Sequence, residues 1–395
     1  MRKTFQRNTW MILGPVFLSL AVLPLIGVVL VGQPLAYYIE FPPTTQYVQH
    51  APFSWGVFTI LLIGVMLVVL PFLAWDRLHA FLDNESVPSL KKFPWWGWAG
   101  LLFGIVAWVL AWSRFAWCSA MQPHFFTPQW FSYIVVVNAL TYRKTGRCML
   151  THRTGYFFAL FLASSVFWWF FEYLNRFVQN WYYDGVDSIS AAQYFWRATL
   201  PFSTVLPAVL GTCELLAGGT RLFKGLEGFL PVRVREPKYL AGGFLALACI
   251  GLAGIGVWPD LLYPLLWVAP LVIITSIQTL TGQRTIFSPI ADGNWRRICL
   301  LAISALICGF FWEMWNYKSS AKWLYTVPFV NRFKIFEMPL MGYAGYLPFG
   351  LECAVIGDLV KGWVCKSNSI ESSRTRLITT TATAIVVSTF VWLPI

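Results

Sequence analysis

Carboxylates set inside long apolar stretches are the residues of this sequence best suited to chemistry. Five lie within or at the edge of such stretches: Glu172, Glu214, Glu313, Glu352 and Asp358. An ionisable group in hydrocarbon is costly unless it faces protein or water, so each is a functional-site candidate. A carboxyl among apolar atoms also keeps its proton more readily, because desolvation penalises the charge, and a neutral carboxyl is what a general acid needs. Glu313 is the sharpest case. On a helix, Glu313, Asn316 and Tyr317 share one face at i, i+3 and i+4, so Asn316 or Tyr317 can orient the acid. Glu172 and Asn175 repeat the spacing with Arg176 in place of the tyrosine, which allows Glu172 to be simply neutralised. Glu352 follows Gly345-Tyr346-Leu347-Pro348-Phe349-Gly350, a run expected to break or kink a helix and free carbonyls, and Glu214 follows Pro207.

The four glutamates are the candidate catalytic groups. Asp358, close to a charged loop, is expected to snorkel. The plainer alternatives are a hydrated acid at a helix end for Glu172 and Glu313, and an interhelical hydrogen bond for Glu214 and Glu352. Aromatic runs adjoin the acids: Phe167-Trp168-Trp169-Phe170-Phe171 before Glu172, and Phe310-Phe311-Trp312 before Glu313. Aromatic faces attract cations, so an acid ringed by them suits proton-initiated carbocation chemistry. Asn316, Tyr317, Asn175, Trp312, Trp169, Trp323 and Tyr346 are the candidate substrate-binding residues. No paired-aspartate motif for a magnesium diphosphate, no glycine-rich phosphate loop, no HExxH and no GxSxG is present. The 8 cysteines are scattered without a CxxC pair and the 4 histidines stand singly, so neither a metal nor a cofactor is expected.

The elements that must hold these residues are membrane helices. Of 395 residues, 57% are hydrophobic and 12% charged, with a mean hydropathy of +0.61. A soluble domain carries about 25% charged residues, so the fold class is an all-α polytopic transmembrane bundle. A soluble enzyme, a disulfide scaffold and a nucleic-acid-binding domain are excluded. Eleven spans are expected, near residues 9–31, 54–75, 95–117, 125–141, 155–173, 198–217, 239–257, 261–280, 298–317, 339–360 and 377–395. With the N-terminus cytoplasmic, 22 of the 29 Lys and Arg residues fall in inner loops, including Arg143, Lys144 and Arg147, and Arg233, Arg235 and Lys238. The C-terminus is then external, and the bilayer is expected to be the plasma (inner) membrane. The segment from Lys318 to Met338 is an outer loop with basic and aromatic residues interleaved, read as an interfacial helix, or else as a lid or an anionic-headgroup patch.

The sequence also repeats itself. Leu140-Thr141 precedes Glu172-x-x-Asn175 and then Trp181-Tyr182-Tyr183; Leu280-Thr281 precedes Glu313-x-x-Asn316 and then Trp323-Leu324-Tyr325. A proline and an embedded acid follow in each, Pro207 with Glu214 and Pro348 with Glu352. The expected organisation is a two-span segment (1–94), two parallel four-span repeats (95–238 and 239–362) with an apolar cavity between them, and a last span (363–395).

The order Trp312-Glu313-Met314-Trp315-Asn316-Tyr317, Trp323-Leu324-Tyr325, Gly342-Tyr343 and Leu347-Pro348-Phe349-Gly350-Leu351-Glu352 resembles the membrane-bound lycopene cyclase domain, a group similar to the membrane terpene cyclases of fungi. The resemblance covers roughly residues 305–360 and, more faintly, 165–217. It departs from the family in having a single Glu352 after Leu351 where the family pairs two glutamates, and in a longer repeat unit. It implies cofactor-independent cyclisation or isomerisation of a polyene, with Glu313 and Glu352 handling protons. The expected function is therefore a membrane enzyme acting on an isoprenoid or other lipid by acid–base chemistry. The alternatives are a transporter or flippase-like carrier for a lipidic solute, and a structural subunit. The expected partners are the lipid bilayer and that substrate, with no nucleic acid. The charge pattern makes one direct prediction: a reporter placed in the 221–238 loop reads cytoplasmic and one fused after Ile395 reads external, and the reverse pattern would refute the orientation.

Overall fold

The computed structural model describes residues 2–43, 45–80, 90–186, 189–218 and 222–370. Among them are fourteen α-helices: α1 (Arg2–Leu30), α2 (Ala36–Ile39), α3 (Trp55–Ala80), α4 (Trp95–Ser113), α5 (Phe126–Thr145), α6 (Met149–His152), α7 (Thr154–Val178), α8 (Ala191–Phe202), α9 (Val205–Ala217), α10 (Pro237–Ile255), α11 (Pro259–Leu262), α12 (Ala269–Leu280), α13 (Arg296–Tyr317) and α14 (Tyr346–Ile370). Strand content is slight: β1 (Trp181–Asp184), β2 (Lys322–Tyr325), β3 (Lys334–Ile335) and β4 (Met338–Pro339).

Seven stretches are long and apolar enough to cross a membrane: Trp55–His79, Trp95–Ser113, Thr154–Val178, Ala191–Ala217, Pro237–Ile255, Arg296–Tyr317 and Leu340–Val364. An eighth forms if Pro259–Trp267 and Ala269–Leu280, bent by 55°, count as one. The expected span near 125–141 is a full helix, α5, but Gln129, Ser132, Asn138 and Thr141 make it too polar to qualify by composition. All four are buried, and three are hydrogen-bonded within the protein: Ser132 Oγ donates to Gly100 O at 2.7 Å, Asn138 Nδ2 to Ile134 O at 2.9 Å and Thr141 Oγ1 to Val137 O at 2.9 Å, while Gln129 Nε2 is without a partner among the described residues. The apolar part of α1, Gly14–Leu30, is at the lower limit for a full crossing. The span expected at 377–395 lies outside the described residues. Lipid is the natural solvent for the surface: on α3, Ile60, Leu67 and Val68 are 71%, 70% and 62% exposed. An apolar face of that extent is not tolerated in water.

The principal helix pairs are α4 with α5, α10 with α12, and α13 with α14. Glycine sets the closeness of the last pair. A Cβ on Gly350 of α14 would strike the Leu301 carbonyl of α13, and one on Gly309 of α13 would strike the Tyr346 ring of α14. Pro348 does not kink this region. It occupies the first turn of α14, where the missing N–H has no helical partner to lose, and the helix continues unbroken to Ile370.

The segment 318–338 contains no helix. Its β2 pairs antiparallel with β1, which follows α7, in the register Trp181↔Tyr325, Tyr182↔Leu324, Tyr183↔Trp323 and Asp184↔Lys322. Exchanging Trp181 with Trp323 and Tyr183 with Tyr325 maps this ladder onto itself. β3 and β4 form a small hairpin beside it, tied back by Lys322 Nζ to Glu337 Oε1 at 2.6 Å. The segment before α3 is clamped to the same region: His50 lies with Nδ1 2.6 Å from Asp260 Oδ1 and Nε2 3.1 Å from Gln179 O. The ladder is testable by cross-linking. Tyr182→Cys and Leu324→Cys in one chain are directly opposed, so mild oxidation should join them, and peptide mass spectrometry that finds no 182–324 cross-link would refute the pairing.

Candidate functional site

Glu313 and Glu172 are both completely buried near the ends of α13 and α7. Glu313 Oε1 accepts from the hydroxyls of Tyr325 at 2.8 Å and Tyr346 at 2.9 Å, and Trp323 Nε1 donates to the Tyr325 oxygen at 2.8 Å. Glu172 Oε1 accepts from the Tyr183 hydroxyl at 2.6 Å, Trp168 Nε1 at 3.0 Å and Trp181 Nε1 at 3.1 Å. In each case one carboxyl oxygen holds the aromatic donors, while Oε2 is buried without a hydrogen-bond partner among the described residues.

The two asparagines build these cages. Asn316 Nδ2 donates to Trp323 O at 2.8 Å and its Oδ1 accepts from Trp323 N at 3.0 Å. Asn175 Nδ2 donates to Trp181 O at 2.8 Å, and its Oδ1 accepts from Asn180 N at 2.8 Å. Each side chain thus pins the strand that leaves its own helix, and the pinned strand carries its Trp and Tyr back onto the acid one turn below. The turn itself needs a left-handed residue after α7, Gln179 at φ 47°, whose N–H caps Asn175 O. Asn316 was expected to orient Glu313; instead it positions the residues that do.

A constant offset of 141 residues relates Glu172 to Glu313, Asn175 to Asn316 and Pro207 to Pro348. At the same offset Trp168 corresponds to Gly309 and Val205 to Tyr346. The exchange is compensating: the ring of Tyr346 fills the room left at Gly309 and its hydroxyl replaces Trp168 Nε1 as the third group at the acid. Tyr183 and Tyr325 are held well above the ordinary tyrosine range, first by burial and then by the neighbouring Glu172 or Glu313 carboxyl. Both phenols therefore keep their protons and remain donors.

Other sequence-derived candidates lie elsewhere. Tyr317 is 46% exposed and packs on Phe336, away from Glu313. Arg176 turns to Glu40, with Nη1 2.8 Å from its carbonyl and Nη2 3.2 Å from Oε2, over the Tyr37 ring; the i+4 pairing with Glu172 gives way to this distant acid. Trp169 Nε1 donates to Thr199 Oγ1 at 2.9 Å and its ring stacks on Phe195, facing away from Glu172. Glu214 pairs with Arg153 at a partly exposed end of the bundle, and Asp358 likewise pairs with Arg297 at 2.7 Å. Glu352 is buried, but its Oε1 accepts from Leu271 N at 3.2 Å in the first turn of α12, so it caps that helix instead of joining Glu313. By the 141-residue offset its counterpart is Gly211, not Glu214.

Between the two acids aromatic rings pack on one another. Trp312 stacks on Tyr346 at 5.9 Å and approaches Trp130 at 5.0 Å and Trp168 at 6.5 Å between ring centroids. Chemically, each cage can keep a proton on Oε2 and stabilise through Oε1 the charge left when that proton departs. Tyr325, Tyr183, Trp181 and Trp168 did not stand out among the sequence-derived site residues; the signal that could have found the first three is the Trp-x-Tyr that follows Glu-x-x-Asn in both copies, and for Trp168 it is the i, i+4 spacing to Glu172. No family profile, curated protein or solved structure matches the chain. The pinning role predicts that Asn175→Ala and Asn316→Ala each strand at least two backbone groups, at about 1–3 kcal/mol per group, whereas Tyr317→Phe changes stability by less than about 0.5 kcal/mol. Thermal unfolding in detergent measures both; an unchanged midpoint for the alanine variants would refute the role.

Proposed function

We propose that the chain is an integral membrane enzyme that acts on an isoprenoid or other lipid by acid–base chemistry, with Glu313 and Glu172 as its proton-handling groups. One observation carries the reading: two wholly buried carboxyls stand in matching aromatic cages, each with one oxygen anchored by donors and the other unpartnered. Acid–base work asks for that division, since the anchored oxygen fixes the group while the other exchanges the proton. The surrounding indoles and phenols provide π faces for a positively charged intermediate. Glu352 and Glu214 also leave Oε2 unpartnered among the described residues, but neither has an aromatic donor cage: their Oε1 atoms accept from the Leu271 amide and from Arg153. The likeness to the lycopene cyclase domain agrees with a polyene substrate and rests on the same Glu313, Asn316 and Trp323-x-Tyr325 positions.

The architecture we infer is two parallel four-span repeats, α4 to α9 and α10 to α14, within eleven spans and with the N-terminus cytoplasmic. Support comes from the shared 141-residue offset and from a β1–β2 register that is unchanged when the copies are exchanged. A carrier for a lipidic solute is the second reading. It is favoured by 3₁₀ segments at corresponding places in the two halves, Ala116–His124 before α5 and Tyr263–Trp267 before α12, since broken helices in matching positions are a transporter feature.

Substitution by glutamine separates the two. Glu313→Gln and Glu172→Gln preserve size and hydrogen bonding but remove the acid. Membrane lipids of cells with and without the gene identify the dependent species. General acid catalysis is worth roughly 10²–10⁴-fold, so that species should fall by a comparable factor in Glu313→Gln at equal protein level. Near-normal amounts in both variants would refute the acid–base reading and favour transport.

A further inference from the structure

A cavity at the opposite end of the bundle from the acid cages has a volume of about 280 Å³ and is lined by Gln278 of α12, Arg284 and Thr285 of the loop that follows, Arg297 of α13, and Val355 and Asp358 of α14. Gln278 is only 8% exposed, and its Oε1 is buried without a hydrogen-bond partner among the described residues. A buried amide oxygen without a donor is costly, so this atom points to a ligand that brings one. Arg297 binds Asp358 at 2.7 Å, with the two side chains 49% and 46% exposed. Arg284 has no ion pair among the described residues. The Thr285 hydroxyl accepts from Phe287 N at 3.2 Å and keeps its own proton to donate. Two guanidinium groups against one carboxylate leave the cavity with a positive charge. It sits where α12 ends and α13 begins, at the helix ends that the charge pattern assigns to the inner face.

We propose that this cavity binds a phosphate ester whose head carries a hydroxyl or primary ammonium group. The phosphate is held by Arg284, Arg297 and Thr285, since guanidinium forks match phosphate oxygens in pairs. A phosphodiester has no proton to give, so the head beyond it supplies the donor that Gln278 Oε1 lacks. A glycerophospholipid in the surrounding leaflet and a soluble glycerol phosphate share this chemistry. The inference stands apart from the acid–base reading and shares no residue with it.

The test uses the full chain purified in detergent and native mass spectrometry with dioctanoyl phosphatidylglycerol, phosphatidylethanolamine and phosphatidylcholine, and with glycerol 3-phosphate. Phosphatidylcholine is the control because its quaternary ammonium has no N–H. Phosphatidylglycerol and phosphatidylethanolamine should both bind at least about 10-fold more tightly than phosphatidylcholine, the scale of one good charge-assisted or buried hydrogen bond. Arg284→Gln should weaken both about 10-fold or more, and Gln278→Leu should erase the preference over phosphatidylcholine. Binding of glycerol 3-phosphate with the same loss in Arg284→Gln supports the site and assigns its ligand to the soluble pool. Phosphatidylethanolamine binding no better than phosphatidylcholine, or wild-type affinity in Arg284→Gln, would overturn the proposal.

Discussion

A carboxyl enclosed in a membrane protein has to be solvated by the protein itself, and that requirement organises the centre of this molecule. Water is replaced by phenol and indole donors, three around Glu172 and two around Glu313. These donors do not come from helix neighbours alone. Most sit on strands that leave the helix, turn back and are fastened by an asparagine one turn along, so the irregular backbone at this depth exists to serve the acid. The strands then satisfy their own amides by pairing with each other. The helix end, left-handed turn, asparagine pin and ladder form one arrangement with a single physical cause.

The two cages reach the same end by different side chains. Around Glu172 an indole from the same helix provides the third donor. Around Glu313 that position is Gly309, and a tyrosine from the next helix enters the vacated space. The substitution changes more than a donor type, because it makes the start of α14 part of the Glu313 cage, whereas the Glu172 cage is assembled from α7 and its strand alone. Glu313 is consequently the acid whose surroundings respond to movement between α13 and α14.

Much of this was legible in the sequence, and the boundaries of legibility have physical reasons. Period, apolar run length and loop charge located nearly all the long helices, and the repeated Glu-x-x-Asn marked both acids. What spacing could not reveal was destination. Tyr183 lies 11 residues beyond Glu172 and Tyr346 lies 33 beyond Glu313, separations that no helical periodicity connects. Asn316 and Tyr317 share a helix face with Glu313, but a face states only direction; the strand claimed the asparagine and the surface took the tyrosine. Pro348 looked like a helix breaker because its position within the helix was unknown, and in the first turn it breaks nothing. Arg176 found a partner 136 residues away in preference to one four residues away.

The β1–β2 ladder couples the two acids mechanically. Each strand presents donors to its own glutamate, and each is also the hydrogen-bonding partner of the other strand. A displacement that frees Tyr183 from Glu172 drags the backbone opposite Trp323 and Tyr325, and the converse holds equally. Any coupling that the ladder carries between the two carboxyls must have the same size in both directions, as linkage requires. The four-residue ladder is thus a backbone element through which the two cages touch.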